Sequence, residues 1–167
     1  MNNNKLLLNS KWTLFYHDMF DKNWTLSSYL PIMFDIHQAH QLIAINETIP
    51  DNVVKNGMLF LFRQGVNPFW EDPKNKDGGY LSFKLDNSVV HNVWKSFVYA
   101  LCGETLFKNP ELNDLVNGIS ISPKKTFCII KIWLSVCDYG GVNDTELNAI
   151  KFLDVKDTKF TPFSEAR

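Results

Sequence analysis

Residues Gly65–Leu85 read GVNPFWEDPKNKDGGYLSFKL, and two patterns in that stretch decide the architecture. The second half alternates: Leu81, Phe83 and Leu85 are apolar while Tyr80, Ser82 and Lys84 are wetter, the two-residue period of a strand with one buried and one solvated face. The first half is a Pro-bounded loop with a tryptophan and a carboxylate side by side, Trp70 and Glu71, closing on Gly78-Gly79. A strand with one apolar face belongs to a sheet covered on one side, and a large indole on the loop that feeds it raises a binding question. On spacing alone a plug is the competing reading, in which Trp70 covers a core edge while Glu71, Asp72, Lys74 and Lys76 form a solvated charged loop.

Working outward, β-like segments recur at Trp12–Tyr16, Tyr29–Phe34, Met58–Phe62, Gly118–Ser122 and Thr126–Val136. From Asn87 to Cys102 the apolar residues Val90, Val93, Trp94, Phe97, Val98 and Leu101 follow one helix face, with Asn87 or Ser88 as the expected cap. A shorter helix is expected from Ile36 to about Ile45, and a third from Asn143, where Asn143 and Glu146 have capping-box spacing. Strands outnumber helices without alternating regularly with them. The expected fold is α+β: an antiparallel sheet with about three helices on one face and the other face free for a ligand.

At 167 residues and 19.3 kDa the chain fits one domain, long enough to bury roughly 70% of its unfolded surface. We expect a flexible arm over 1–10 and a single domain over 11–167. Seventeen basic against eighteen acidic residues give a net charge of −1, so any phosphate contact must be local. The longest apolar stretch, Phe127–Val136, is broken by Lys131 and far short of the ~20 residues of a membrane span. Leu6, Leu7 and Leu8 are too short a block for a secretory signal, which points to the cytosol or nucleus. Cys102, Cys128 and Cys137 show no CxxC spacing, so neither a disulfide framework nor a metal site is indicated, and core thiols are the default. His37 and His40 lack the HExxH pattern, and His17 and His91 are isolated. Glu71 and Asp72 would point apart in a strand, and no phosphate-cradling Gly loop or nucleophile elbow is present. No catalytic residue and no cofactor is called.

The segment PFWEDPKNKDGG closely resembles the signature loop of the eukaryotic translation initiation factor 4E family, which binds the 7-methylguanosine cap of messenger RNA. SKWTLFYHDMFDKNW at Ser10–Trp24 is similar to the family's first strand and the loop bearing its first stacking tryptophan. Phe34 and Asp35 resemble the start of its first helix, and Trp94 with Leu101–Glu104, LCGE, its second. Gly118–Trp133 matches its late hairpin in length. The resemblance implies a curved sheet with helices on the convex face and a cap slot on the concave face. It makes Trp24 and Trp70 the pair that sandwiches the base, Glu71 the reader of guanine N1 and N2, and Trp133 the neighbour of the N7 methyl. A cationic base between indoles and a carboxylate facing two donors are physically apt, since indoles are the best aromatic partners of a cation and a bidentate charge-assisted pair rejects adenine.

Departures from the family pattern are equally specific. Tyr80 stands where the family has an Arg after Gly-Gly. Lys124 occupies the Arg position of the late hairpin, Thr126 its paired Lys position and Ile129 a third basic position, with Lys125 as a substitute; Lys124 and Lys125 are therefore the expected phosphate contacts. On the surface where the family receives a Tyr-x-x-x-x-Leu-Φ helix from a scaffold factor or repressor, His-Pro becomes Leu6 and Leu7, the anchoring tryptophan becomes Gln41, and a Leu, Glu and Leu become Lys95, Ser96 and Tyr99. The resemblance implies a monomeric, non-enzymatic protein of the cytoplasm, with the nucleus as a second location. Its expected partners are capped mRNA and a scaffold initiation factor engaged through a non-standard motif. The alternatives are a cap-binding repressor, an enzyme acting on capped or free nucleotides, and an interaction module with structural tryptophans.

Overall fold

Every expected strand forms. In the computed structural model, which describes residues 6–137, 146–151, 153 and 158–166, the strands are β1 (Leu7–His17), β2 (Leu30–Gln38), β3 (Met58–Arg63), β4 (Gly79–Asp86), β5 (Val116–Pro123), β6 (Phe127–Leu134) and β7 (Lys159–Pro162). All pair antiparallel in one sheet of order β2-β1-β3-β5-β6-β4-β7. The helices are α1 (Ala39–Thr48), α2 (Asp51–Asn56), α3 (Val90–Cys102) and α4 (Pro110–Asp114).

Alternation along each strand sorts side chains onto two faces. Leu59 and Leu61 of β3, Leu81, Phe83 and Leu85 of β4, Ile119 and Ile121 of β5 and Ile130, Ile132 and Leu134 of β6 join Val93, Trp94, Phe97 and Leu101 of α3 in the main core. Each such side chain taken fully out of water stabilises the fold by ~1.5–3 kcal/mol. Residues of opposite parity, Phe60, Phe62 and Trp133, form a smaller aromatic cluster on the other face with Tyr29, Val66 and Phe163. Helices thus cover one face, and aromatic rings furnish the open one.

Gly78 and Gly79 act through close approach more than through a turn. A Cβ on Gly78 would lie 1.8 Å from the Leu134 carbonyl oxygen, and one on Gly79 2.5 Å from that of Thr161. The pair lets the loop before β4 enter between β6 and β7.

Several expected boundaries move. Leu7–Ser10, placed in the frayed arm, belong to β1: Leu7 lies opposite Gln38, and the Ser10 hydroxyl donates to Glu104 at 2.7 Å. Ile36–Gln38 continue β2, so α1 starts at Ala39; Phe34 and Asp35 are strand residues, and the latter has φ +53°. α3 starts at Val90 with no side-chain cap, because Ser88 instead bonds Asp86 through its N–H and hydroxyl. Asn143 lies outside the described residues, and Leu147 pairs with Phe107 as a β-bridge where the expected helix would run. Cys137 is exposed, against the expectation of core thiols, whereas Cys102 and Cys128 are buried.

Candidate functional site

Trp24 is reached from the connection between β1 and β2, and its position is set from below. Strand parity puts His17 on the open face with Phe15, and the Trp24 indole stacks on the His17 ring at 4.1 Å between centroids and 5° between planes. His17 is fully buried, its Nδ1 lying 2.8 Å from the Asp18 carbonyl oxygen and its Nε2 3.0 Å from that of Asn23. One face of the indole is covered by a fixed imidazole, while the tryptophan as a whole stays 52% exposed.

The Trp70–Glu71 loop is pinned by its own polar residues. Asp72 is buried, not solvated as the charged-loop reading had it, and accepts from Asn67 N–H (3.1 Å), Asn67 Nδ2 (2.8 Å) and Lys74 N–H (2.9 Å). Asn75, fully buried, donates to the carbonyls of Asn67 and Phe69 at 2.9 and 2.8 Å. Asn117 of β5 then donates to Asn75 Oδ1 and the Lys74 carbonyl, tying the loop to the sheet. On that frame Trp70 is 40% exposed and Glu71 is exposed.

Tyr29 joins the two loops. Its ring is 6.3 Å from Trp24, 5.0 Å from His17 and 6.2 Å from Phe69, the neighbour of Trp70. Burial, followed by the negative charge of Glu71, pushes its phenol up to about 12. The Trp24 indole and, through Phe69, the loop that carries Trp70 and Glu71 therefore pack around one buried phenol. Deeper on the same face Trp133, 8% exposed, donates from Nε1 to Ser120 Oγ at 2.9 Å and packs against Phe62 and Phe163.

Lys124 and Lys125 are exposed at the β5–β6 hairpin tip, where the Lys124 N–H bonds the Phe127 carbonyl. A cation that the sequence shows only as a break in an apolar run lies further along β6: Lys131 Nζ sits 3.8 Å over the Tyr80 ring. Burial first, and Lys124 second, lower its pKa. Among the described residues no three His, Cys, Asp or Glu side chains converge as a metal site.

The residues read as an altered partner surface lie at two places. Leu6 and Leu7 are exposed beside the start of α1, where the Ala39 N–H bonds the Leu6 carbonyl. Gln41 caps α1, its Oε1 accepting from the N–H groups of His37 and Gln38. On α3, Lys95 Nζ and Tyr99 Oη both donate to Glu47 of α1, at 2.6 and 2.7 Å, while Ser96 Oγ bonds the Asn92 carbonyl.

Of the residues that build this site, His17, Tyr29, Asp72, Asn75, Asn117 and Lys131 were missed as functional from sequence. Only His17 and Lys131 carried a signal, the period-two parity that sets them on the face of Phe15 and Trp133.

The model of the eukaryotic initiation factor 4E family matches residues 7–165. The chain belongs to the initiation factor 4E family. Among curated 4E proteins, the homolog of Acanthamoeba polyphaga mimivirus is 42% identical over 64 residues, 37% of this chain and 23% of that protein. The factor of Candida albicans is 27% identical over 96% of this chain and 79% of its own length. The 4E factor of Saccharomyces cerevisiae is 30% identical over 75% of this chain and 60% of that protein. Among solved structures, schistosome eIF4E complexed with m7GpppG and 4E-BP superposes with a TM-score of 0.71 at 18% identity, covering 81% of this chain and 75% of that one. C. elegans eIF4E-3, in complex with the 4E-binding protein Mextli and cap analog, gives 0.69 at 18% identity over 79% and 75%. The 4E fold, a curved antiparallel sheet with few helices, is thereby shown.

Proposed function

We propose that this chain binds the 7-methylguanosine 5′ cap of mRNA on its open sheet face and supports cap-dependent translation initiation. It acts by binding and recruitment, without a chemical step. The observation that carries the reading is the packing around Tyr29: Trp24 stacked on His17 and near the phenol, and the Trp70–Glu71 loop, held by Asp72 and Asn75, brought to the same phenol by Phe69. Two half-exposed indoles suit a flat cationic base, and a carboxylate beside them suits a pair of N–H donors. The 4E relatives solved in complex with m7GpppG and with cap analog support the same ligand. Trp24, Trp70 and Trp133 are the base contacts and Glu71 the guanine reader on this reading, which sets the protein in the cytoplasm.

The partner is a protein of the class named in those complexes, a 4E-binding protein or scaffold, engaged on a modified surface. Titration of tryptophan fluorescence with 7-methylguanosine triphosphate and with unmethylated guanosine triphosphate tests the cap reading. Saturable quenching with a strong preference for the methylated ligand is expected. Equal response to the two ligands, or none, would overturn it.

A further inference from the structure

Lys131 occupies the middle of β6, opposite Ser82 of β4 and Ser120 of β5, and is partly buried. Directly opposed residues of antiparallel strands share a face, so Tyr80, Ser82, Ser120, Lys131 and Trp133 all line the open side. The seat under the ammonium is fixed: Tyr80 packs on Phe163 at 5.7 Å, and Phe163 packs on Trp133 at 4.9 Å.

Among the described residues this seat has no counter-ion. Among the described residues no carboxylate lies within ion-pair distance of Lys131, and the charge acting on it is that of another cation, Lys124. Lys11, Lys55, Arg63 and Lys95, by contrast, each meet an Asp or Glu. A partly desolvated ammonium beside a like charge is unfavourable, and the quadrupole of a phenol ring offsets only part of that cost. The flanking groups in the sheet are neutral hydroxyls. Two residues of strand, roughly 7 Å, separate Lys131 from Trp133.

We propose that Lys131, carried on the Tyr80 ring and flanked by Lys124, is the principal seat for the phosphate chain of the ligand whose base lies in the tryptophan slot. The inference rests on the cap-binding reading and refines it. Tyr80, which stands in place of the family's Arg, is then no loss of grip: it is the platform for a cation supplied by the next strand. Lys124 reinforces the positive field from the hairpin tip, and Lys125 is secondary.

The test is a fluorescence titration of the full chain with 7-methylguanosine, its monophosphate and triphosphate, guanosine and guanosine triphosphate, over a range of salt. Wild type, Lys131→Met, Lys131→Arg and the double variant Lys124→Ala, Lys125→Ala are compared. Lys131→Met is expected to lower triphosphate affinity about tenfold, to reduce the salt slope by about one, and to leave nucleoside affinity unchanged, with Lys131→Arg restoring most of the loss. A triphosphate preference that survives Lys131→Met and disappears only in the hairpin double variant would overturn the proposal. Equal losses for nucleoside and triphosphate would also overturn it, by showing that Lys131 only props the sheet. Should wild type fail to distinguish methylated from unmethylated ligand, the cap reading falls. The contrast between guanosine and its triphosphate would still decide whether Lys131 holds phosphate.

Discussion

Trp24 and Trp70 are supported in different ways, and the difference sets what their loss should do. Trp24 rests on His17 at 4.1 Å, so removing the indole uncovers an imidazole already bonded to backbone and leaves the sheet intact. Base–aromatic stacking is worth ~1–3 kcal/mol by alanine substitution. Trp24→Ala and Trp70→Ala should each weaken binding of 7-methylguanosine triphosphate by at least fivefold on that scale, with unchanged far-UV circular dichroism. Wild-type affinity in both variants would exclude the sandwich. Glu71 is exposed and outside the Asp72–Asn75 frame, so Glu71→Gln alters charge and one acceptor without unpinning the loop. Its effect should fall on 7-methylguanosine and far less on 7-methyladenosine; equal weakening of both would assign Glu71 to loop position. Tyr29 packs between the supports of both loops, yet little near it in sequence announces it, because His17, Phe60 and Phe69 reach it from β1, β3 and the Trp70 loop.

At the scale of elements, the loop before β4 behaves as a unit held by buried amides. Asn75→Ala would strip donors from the carbonyls of Asn67 and Phe69 and an acceptor from Asn117, leaving buried polar groups unpaired at ~1–3 kcal/mol each. The expected outcome is a lower melting temperature together with weaker cap binding, although Asn75 is fully buried and touches no ligand. Retention of full affinity in a destabilised protein would show that the loop geometry does not set the slot. The strands were legible because a sheet with one covered face writes its period into the chain, as at Leu81, Phe83 and Leu85. β7 was not: four residues with the single large apolar side chain Phe160 carry no period, and the strand exists because β4 offers it an edge. α1 was misplaced by three residues since Ile36 suits both a strand and a helix face, and pairing with Trp12 of β1 decided it. The tryptophans and Glu71 were legible through the family resemblance. Their supports were not, since Asp72 and Asn75 look like ordinary turn residues until Asp72 ties Asn67 to Lys74 and Asn117 meets Asn75 from β5, more than forty residues on.

Across the whole molecule, distant segments are joined by a few polar knots, and one of them fixes the start of β1. Glu104, at φ +54° after α3, accepts from Asn9, Ser10 and Arg63, while Arg63 also donates to the carbonyls of Asn113 and Val116. Burial raises the Glu104 pKa, but the three donors outweigh it and hold the carboxyl below its ordinary range. The stability it contributes is therefore present above the unfolded carboxylate range and lost as pH falls through the folded value. Glu104→Gln should cost about 2 kcal/mol at neutral pH and flatten the acid limb of the stability curve, readable by urea unfolding at several pH values. The second knot bears on partners. Glu47 of α1 binds both Lys95 and Tyr99 of α3, and Gln41 is committed to capping α1, so the residues standing at the family's scaffold-helix contacts are engaged within the chain. A scaffold helix of the Tyr-x-x-x-x-Leu-Φ type would find no indole anchor at Gln41, a loss that commonly costs ~2 kcal/mol or more at an interface, and would have to break the Glu47 contacts to reach α3. Calorimetry with such a peptide should detect no micromolar binding to the wild-type chain, while cap affinity stays intact because the proposed slot lies on the face of the sheet opposite the helices. Micromolar binding abolished by changes at Gln41 or Lys95 would show instead that the old groove persists beneath its altered residues.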